Sequence, residues 1–324
     1  MLKITEAAAK KWSKEETLRS MFGKTVTALA KENPDVMLLV ADSARMCNGD
    51  FFQKECPEQY VECGIAEQNL IGVAAGLAHC KKRPFAFAFS PFVTERCFEQ
   101  IKVDIAYIGL PVVLVGADGG FSKATLGVTH YGLEDCALIR SLPNFTIFSP
   151  ADNTELVKCM EAALALNGPA YIRLTGGAGK PASIYRKDYD FVPGKGVLLR
   201  EGKDLYLVGS GTILADALQA AERLEAQGIS AGVVDMHTVK PLDREMVKLT
   251  AATGLVVGLE EHNILGGLCS AIAEVIACEG LDCRLARVGV PDEYPSHVSP
   301  YAQMAEQYGL TVEGIVSAVM NALK

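Results

Sequence analysis

The sequence predicts an α/β protein built from two doubly wound, mostly parallel-sheet domains. Three observations carry this. Short β-branched or apolar runs alternate with helical patterns along all 324 residues, as in a parallel sheet covered by helices on both faces. The alternation breaks once, at the polar, glycine-rich stretch from Gly176 to Gly196, which contains Pro181 and Pro193 and reads as a linker. The length suits two domains, and a chain that is 49% hydrophobic can fill two cores. The division expected is residues 1–190 and 191–324.

The first helix is expected from Lys14 to Lys31, with Ser13 as N-cap and Glu16 as its capping-box partner. Val36–Ala41 reads as a buried strand ending at Asp42. Gly64 precedes a helix over Ala66–His79, where Leu70, Val73, Ala74 and Leu77 keep helical spacing. Pro84–Phe89 is a strand, Thr94–Ile108 a helix and Pro111–Ala117 a strand. Helices follow at Leu133–Ser141 and Asn153–Leu166, then a strand at Ala170–Leu174. Beyond the linker, strands are expected at Leu205–Gly209, Ala231–Asp235, Leu255–Glu260 and Cys283–Val288. Helices are expected at Ile213–Gln227, Gly267–Cys278 and Thr311–Leu323.

The net charge of −8 argues against a general nucleic-acid or anionic-membrane surface and leaves room for a local basic pocket. No apolar run approaches the length of a membrane span. The ten cysteines form no Cys-x-x-Cys pair, and no secretory segment opens the chain, so a reducing cytoplasm without disulfides is expected. The five histidines show no metal-ligand spacing with Cys or Asp, so this chain alone is expected to hold no metal.

In doubly wound sheets, ligands sit beyond the carboxyl ends of the strands. Asp42, Phe89 and Asp118 fall at such ends, and Glu67 lies in the adjoining loop-to-helix turn. In Glu62-Cys63-Gly64-Ile65-Ala66-Glu67-Gln68-Asn69, Glu67 opens an apolar, glycine-spaced helix. A buried carboxylate there suits proton exchange with a bound heterocycle. An exposed first-turn Glu favouring the helix dipole is the alternative. Phe85, Phe87 and Phe89 share one strand face, which core packing alone explains. Phe89 and Phe92, separated by Pro91, also suit stacking on a flat heteroaromatic ligand. His130 sits in the long loop Leu126–Gly132, either as a proton shuttle or as a satisfied structural residue. Thr175–Lys180 is no phosphate loop, because Pro181 follows the lysine. Val208–Thr212 lacks the third glycine of a dinucleotide fingerprint and reads as a tight turn capped by Thr212 or a neighbour.

Gly64-Ile65-Ala66-Glu67-Gln68, Phe89-x-x-Phe92 and Gly127-Val128-Thr129-His130 together resemble the pyrimidine-binding half of transketolase. Thr238-Val239-Lys240-Pro241-Leu242-Asp243 and Glu260-Glu261-His262, with Gly266-Gly267 beyond, resemble the C-terminal domain of the same enzymes. The resemblance spans essentially the whole chain. It implies thiamine diphosphate as cofactor. By it, Glu67 matches the glutamate that hydrogen-bonds the aminopyrimidine ring. Ile65, Phe89 and Phe92 match the pyrimidine surroundings, and Asp42 an acid near the thiazolium. His130 matches a histidine at the donor substrate, and Arg173 an arginine for the sugar phosphate. Lys123 is a candidate substrate contact whose positive charge would compensate for departures from the family pattern, with a solvated loop lysine as the alternative.

The resemblance also implies a missing half. Transketolase begins with a diphosphate-binding domain whose Gly-Asp-Gly motif holds magnesium, and no Gly-Asp-Gly occurs here. The chain therefore resembles the C-terminal subunit of a split transketolase. It is expected to need an N-terminal subunit that binds most of the magnesium, in a two-plus-two heterotetramer. That assembly would move a two-carbon ketol unit from a ketose phosphate to an aldose. Three positions depart from the family pattern. Leu126 stands where a sugar-reading acid is usual, Asp118 where a phosphate-contacting histidine is, and Glu95 where a tyrosine is. Chemistry like that of deoxyxylulose phosphate synthase, or of a 2-oxo-acid dehydrogenase of the beta-chain type, is the related alternative. A non-catalytic scaffold is the alternative of a different class.

Overall fold

The computed structural model of the chain describes residues 2–176 and 179–324. Twelve strands run in chain order among the described residues. They are β1 Val36–Val40, β2 Tyr60–Glu62, β3 Arg83–Phe89, β4 Val113–Ala117, β5 Thr146–Phe148 and β6 Ala170–Arg173. Then come β7 Val197–Arg200, β8 Leu205–Gly209, β9 Ala231–Asp235, β10 Thr238–Lys240, β11 Leu255–Asn263 and β12 Arg284–Val290. They form a seven-stranded sheet, β10-β5-β6-β4-β3-β1-β2, and a five-stranded sheet, β12-β11-β8-β9-β7. Every pairing is parallel except β10 with β5 and β7 with β9.

The central strands read as unbroken apolar runs because both faces are covered. Phe85 and Phe87 are buried under Phe22, whose ring stacks on Phe87 at 5.1 Å. For these two residues core packing is the whole explanation. One core lies on that face of the first sheet, and another on the outer face of the second. The third is shared by both sheets, with Leu114 and Tyr171 from the first and Val208 and Val256 from the second.

Strand β10 is one that periodicity does not announce. It leaves the second half and pairs antiparallel with β5 of the first sheet, and the Ser149 N–H donates to the His237 carbonyl at 2.8 Å. The Thr238–Asp243 motif is thus a stitch between the two sheets. Its last residue, Asp243, caps helix Arg244–Ala251.

Several local expectations are corrected. The first helical region is two helices, Glu6–Glu15 and Leu18–Glu32, capped by Thr5 and Thr17. Ser13 lies inside the first, with its hydroxyl donating to the Lys10 carbonyl. Glu16 instead accepts from Ser20 at 2.7 Å and pairs with Lys24. The helix expected over Thr94–Ile108 is broken. A short turn, Ser90–Val93, has Pro91 in its first turn, where a missing N–H costs nothing. A tight turn at Phe98–Gln100 then runs into the π-helical segment Ile101–Ala106. Thr212 caps nothing, because its hydroxyl meets that of Thr175 at 3.0 Å. The Thr175–Lys180 stretch falls partly outside the described residues, at positions 177 and 178.

Candidate active site at the carboxyl edge of the first sheet

Glu67 is the first residue of helix Glu67–His79, and its N-cap, Ala66, offers no side-chain bond. Gly64 turns the chain with φ +66°, a conformation that favours glycine. Glu67 is only 5% exposed. One of its oxygens, Oε2, accepts from Arg96 Nη1 at 2.7 Å. Its other oxygen has no hydrogen-bond partner among the described residues. The exposed first-turn alternative for Glu67 is thereby removed.

Arg96 lies over the Phe92 ring, with its guanidinium carbon 4.0 Å from the ring centroid. Phe92 meets Phe89 edge-on at 5.5 Å, and His130 closes the trio at 5.1 Å from Phe89 and 5.0 Å from Phe92. Pro91, Phe92, Glu95, Arg96 and Thr129 line an open slot of ≈600 Å³. Solvent reaches Glu95, yet burial and then the Glu134 and Asp135 carboxylates push it up to about 8. His130 bonds Thr129 Oγ1 through Nδ1 at 3.0 Å. Burial first, and then the positive charges of Lys123 and Arg96, lower its pKa. A lowered histidine is neutral at neutral pH, so it offers a hydrogen bond rather than a fixed charge.

Lys123 reaches this group from the side. Its ammonium lies 5.9 Å from the Phe89 centroid and 3.9 Å from Asp118. Asp118, buried at the end of β4, also accepts from Arg19 at 3.0 Å, while its Oδ1 has no partner. Leu126 and Val128, on the same loop as His130, are exposed.

Sequence reasoning placed Asp42 and Ile65 in one site with these residues, and the structure sets both at its margin. Ile65 is 78% exposed on the turn before Glu67. Asp42, exposed with φ +50°, lines a separate cavity of ≈530 Å³ with Asp50, Tyr60 and Glu62. Its backbone N–H donates to Glu62 at 2.8 Å.

Arg173 sits deeper than its expected role as a phosphate ligand suggests. It is 3% exposed, and its guanidinium is taken by internal acceptors. Nε donates to Asp135 at 2.8 Å, and Nη2 to the Gly132 and Glu261 carbonyls at 2.7 and 2.8 Å. Asp135 Oδ2 also accepts from Ser90 at 2.9 Å and Tyr171 at 2.6 Å. Arg173 therefore ties the two halves together through Nε and Nη2. Beside it, Asp135, Cys136 and His262 bring potential metal ligands within 4.8 Å of one another. The Arg173 cation on the same carboxylate opposes a metal there.

Sequence reasoning missed Arg96. A buried carboxylate at the start of a helix needs a counter-charge, and Arg96 is the only basic residue between Phe92 and Lys102. That scarcity was the available signal.

Two mostly parallel sheets with a carboxylate and aromatic cluster at the carboxyl edge of the first define a two-domain α/β protein of a known family. Residues 14–180 match the transketolase pyrimidine binding domain, and residues 194–315 the transketolase C-terminal domain. The chain belongs to the transketolase family, in the form of its C-terminal subunits. It is 39% identical over 308 residues to a 6-deoxy-6-sulfo-D-fructose transketolase subunit of Clostridium sp. (strain MSTE9), covering 94% of each chain. It is 35% identical to one of the subunits of apulose-4-phosphate transketolase from Phocaeicola vulgatus, covering 94% of this chain and 97% of that one. Among solved structures, a split-gene transketolase described as an inactive beta4 tetramer superposes with a TM-score of 0.86 at 41% identity. That match covers 94% of this chain and 98% of the other.

Proposed function

We propose that this chain is the pyrimidine-side subunit of a thiamine diphosphate-dependent transketolase that transfers a two-carbon ketol unit from a ketose to an aldose. The carrying observation is the Glu67 carboxylate, buried beside Phe92 with one oxygen unpartnered. The donor set fits an aminopyrimidine: a carboxylate acceptor, two aromatic rings and a neutral imidazole within one cluster. When bound, thiamine diphosphate supplies the thiazolium nucleophile.

The chain's own residues then divide the work. Glu67 takes and returns a proton through its unpartnered oxygen. Phe89 and Phe92 orient a flat ring and exclude water. His130 presents a neutral nitrogen to the donor's oxygen, and Lys123 a positive charge to its far end. Asp42 lines the neighbouring cavity, and its assignment as the acid near a cationic ring rests on the family resemblance alone.

Magnesium and the diphosphate are assigned to a separate N-terminal subunit, in a two-plus-two assembly in the cytoplasm. The domain division is placed at residues 190 and 191. Partner dependence is supported by the relatives named as subunits, and by the inactive state described for the β-only tetramer. Among the described residues, no helix is long and apolar enough to cross a membrane.

The test is reconstitution of this chain with its N-terminal subunit, thiamine diphosphate and magnesium, followed by a donor and acceptor screen read by product mass. Two-carbon transfer by the pair, with none by this chain alone, is the expected result. Pyruvate decarboxylation would indicate chemistry like that of deoxyxylulose phosphate synthase. No turnover of any ketose or 2-oxo acid would make the chain a scaffold.

A further inference from the structure

The Arg96 guanidinium makes two contacts at once. It donates to the Glu67 carboxylate at 2.7 Å, and it lies flat enough on Phe92 to bring its central carbon 4.0 Å from the ring centroid. A planar group with N–H donors toward a carboxylate and a π-face on an aromatic ring has the recognition chemistry of an aminopyrimidine. We propose that Arg96 is an internal occupant of the space between Glu67 and Phe92, and that a planar nitrogen heterocycle enters only by displacing this side chain. The inference rests on the cofactor reading above and adds a competitor for the same contacts.

Arg96 is built to leave. Its side chain is 44% exposed and forms part of the wall of the open slot, so solvent lies on its far side. Its backbone is held independently, with the N–H donating to the Pro91 carbonyl at 3.2 Å and the carbonyl accepting from Gln68 Nε2 at 3.2 Å. The side chain can therefore swing while the chain path stays fixed. Glu67 is buried at the head of its helix. Without Arg96 or a ligand it would be a buried carboxylate with no counter-charge, a costly state. The occupant thus serves the empty subunit. A half-exposed ion pair and a half-exposed cation–π contact are each weak, so a ligand with better stacking displaces them. An occupant of this kind lowers apparent affinity by the fraction of time the space is open.

The experiment measures thiamine diphosphate binding calorimetrically, in magnesium, to the assembled pair carrying Arg96→Ala or Arg96→Lys. Arg96→Ala is expected to bind roughly tenfold more tightly than wild type, the sum of two weak contacts removed. Arg96→Lys keeps the charge without the planar fork and should fall between. The ligand-free Arg96→Ala assembly should also melt at a lower temperature, because Glu67 loses its partner. Unchanged or weaker binding by Arg96→Ala, alongside normal wild-type binding, overturns the occupant role and leaves the cofactor reading intact. Absence of binding by wild type and both variants overturns the cofactor reading and the occupant together.

Discussion

At the scale of single residues, the site is a question of what faces one carboxylate. Glu67 has one oxygen committed to Arg96 and one uncommitted. Glu67→Gln keeps the shape and a hydrogen-bonding amide but cannot carry the proton. It is expected to reduce turnover of the reconstituted pair by roughly 100-fold or more, the worth of a positioned general acid–base group. Subunit association should remain unchanged by analytical ultracentrifugation. Near-normal rates in that variant would refute the role given to Glu67. Glu67 and the aromatic pair were legible in the sequence because each is announced locally, by a glycine turn or by Pro91 at a strand end. Arg96 was not, because its partner lies 29 positions away. The internal bonds of Arg173 were hidden for a related reason. An arginine at a strand end looks the same in sequence whether it faces solvent or three buried acceptors.

At the scale of elements, the Glu260-Glu261-His262 run shows how one strand end does several jobs. Helix Leu268–Glu279 begins at Gly267, which has no capping side chain. Glu260 supplies the cap from β11 instead, accepting from the Leu268 N–H at 2.7 Å and the Cys269 N–H at 3.2 Å. A Cβ at position 267 would crowd that carboxylate, so a side chain there would push the cap aside. Glu261 faces the other way and accepts from the Phe121 N–H at 2.7 Å and Tyr301 at 3.2 Å. Glu260→Ala leaves two buried N–H groups unsatisfied and is expected to cost about 1–3 kcal/mol. Urea unfolding measures this, and Glu260→Gln, which keeps an acceptor, should lose less. Equal losses in the two variants would remove the capping explanation. Most helices and strands could be read from periodicity. The broken region after Phe92 could not, because Pro91, the Thr94 hydroxyl bond to the Ser90 carbonyl and the π-helical turn interrupt an apolar pattern that itself continues.

At the scale of the whole molecule, the two halves are joined through buried charge as well as through β10. Glu155, from the first half, and Asp235, at the end of β9, are both buried, and each is bonded by a tyrosine beside it. Tyr189 and Tyr185 donate to them at 2.7 Å each. Burial pushes Asp235 up to about 7, against the hydrogen bond from Tyr185 that pulls it down. Burial and the Asp235 charge raise Glu155 well above the carboxylate range. A carboxyl raised in the folded state binds its proton more tightly there than in the unfolded chain. Its contribution is complete below the ordinary carboxylate pKa of about 4. It is lost as pH rises through about 7. Wild-type stability is therefore expected to fall between about pH 4 and pH 7, and Asp235→Asn to flatten that fall. Denaturant midpoints across this range check it, and coincident slopes for the two proteins would refute the buried-carboxyl account.

By itself, the sequence determined the two parallel sheets, the turn that delivers Glu67, the aromatic pair and the family to which the chain belongs. These depend on periodicity, glycine and proline geometry, and short-range spacing, all of which are written locally. Only the tertiary structure decided which charges meet. It put Arg96 on Glu67, withdrew Arg173 into the contact between halves, and carried β10 across to the other sheet. Charge pairing and sheet order depend on segments far apart in the chain, and no local pattern records which distant group will share a carboxylate's low-dielectric surroundings.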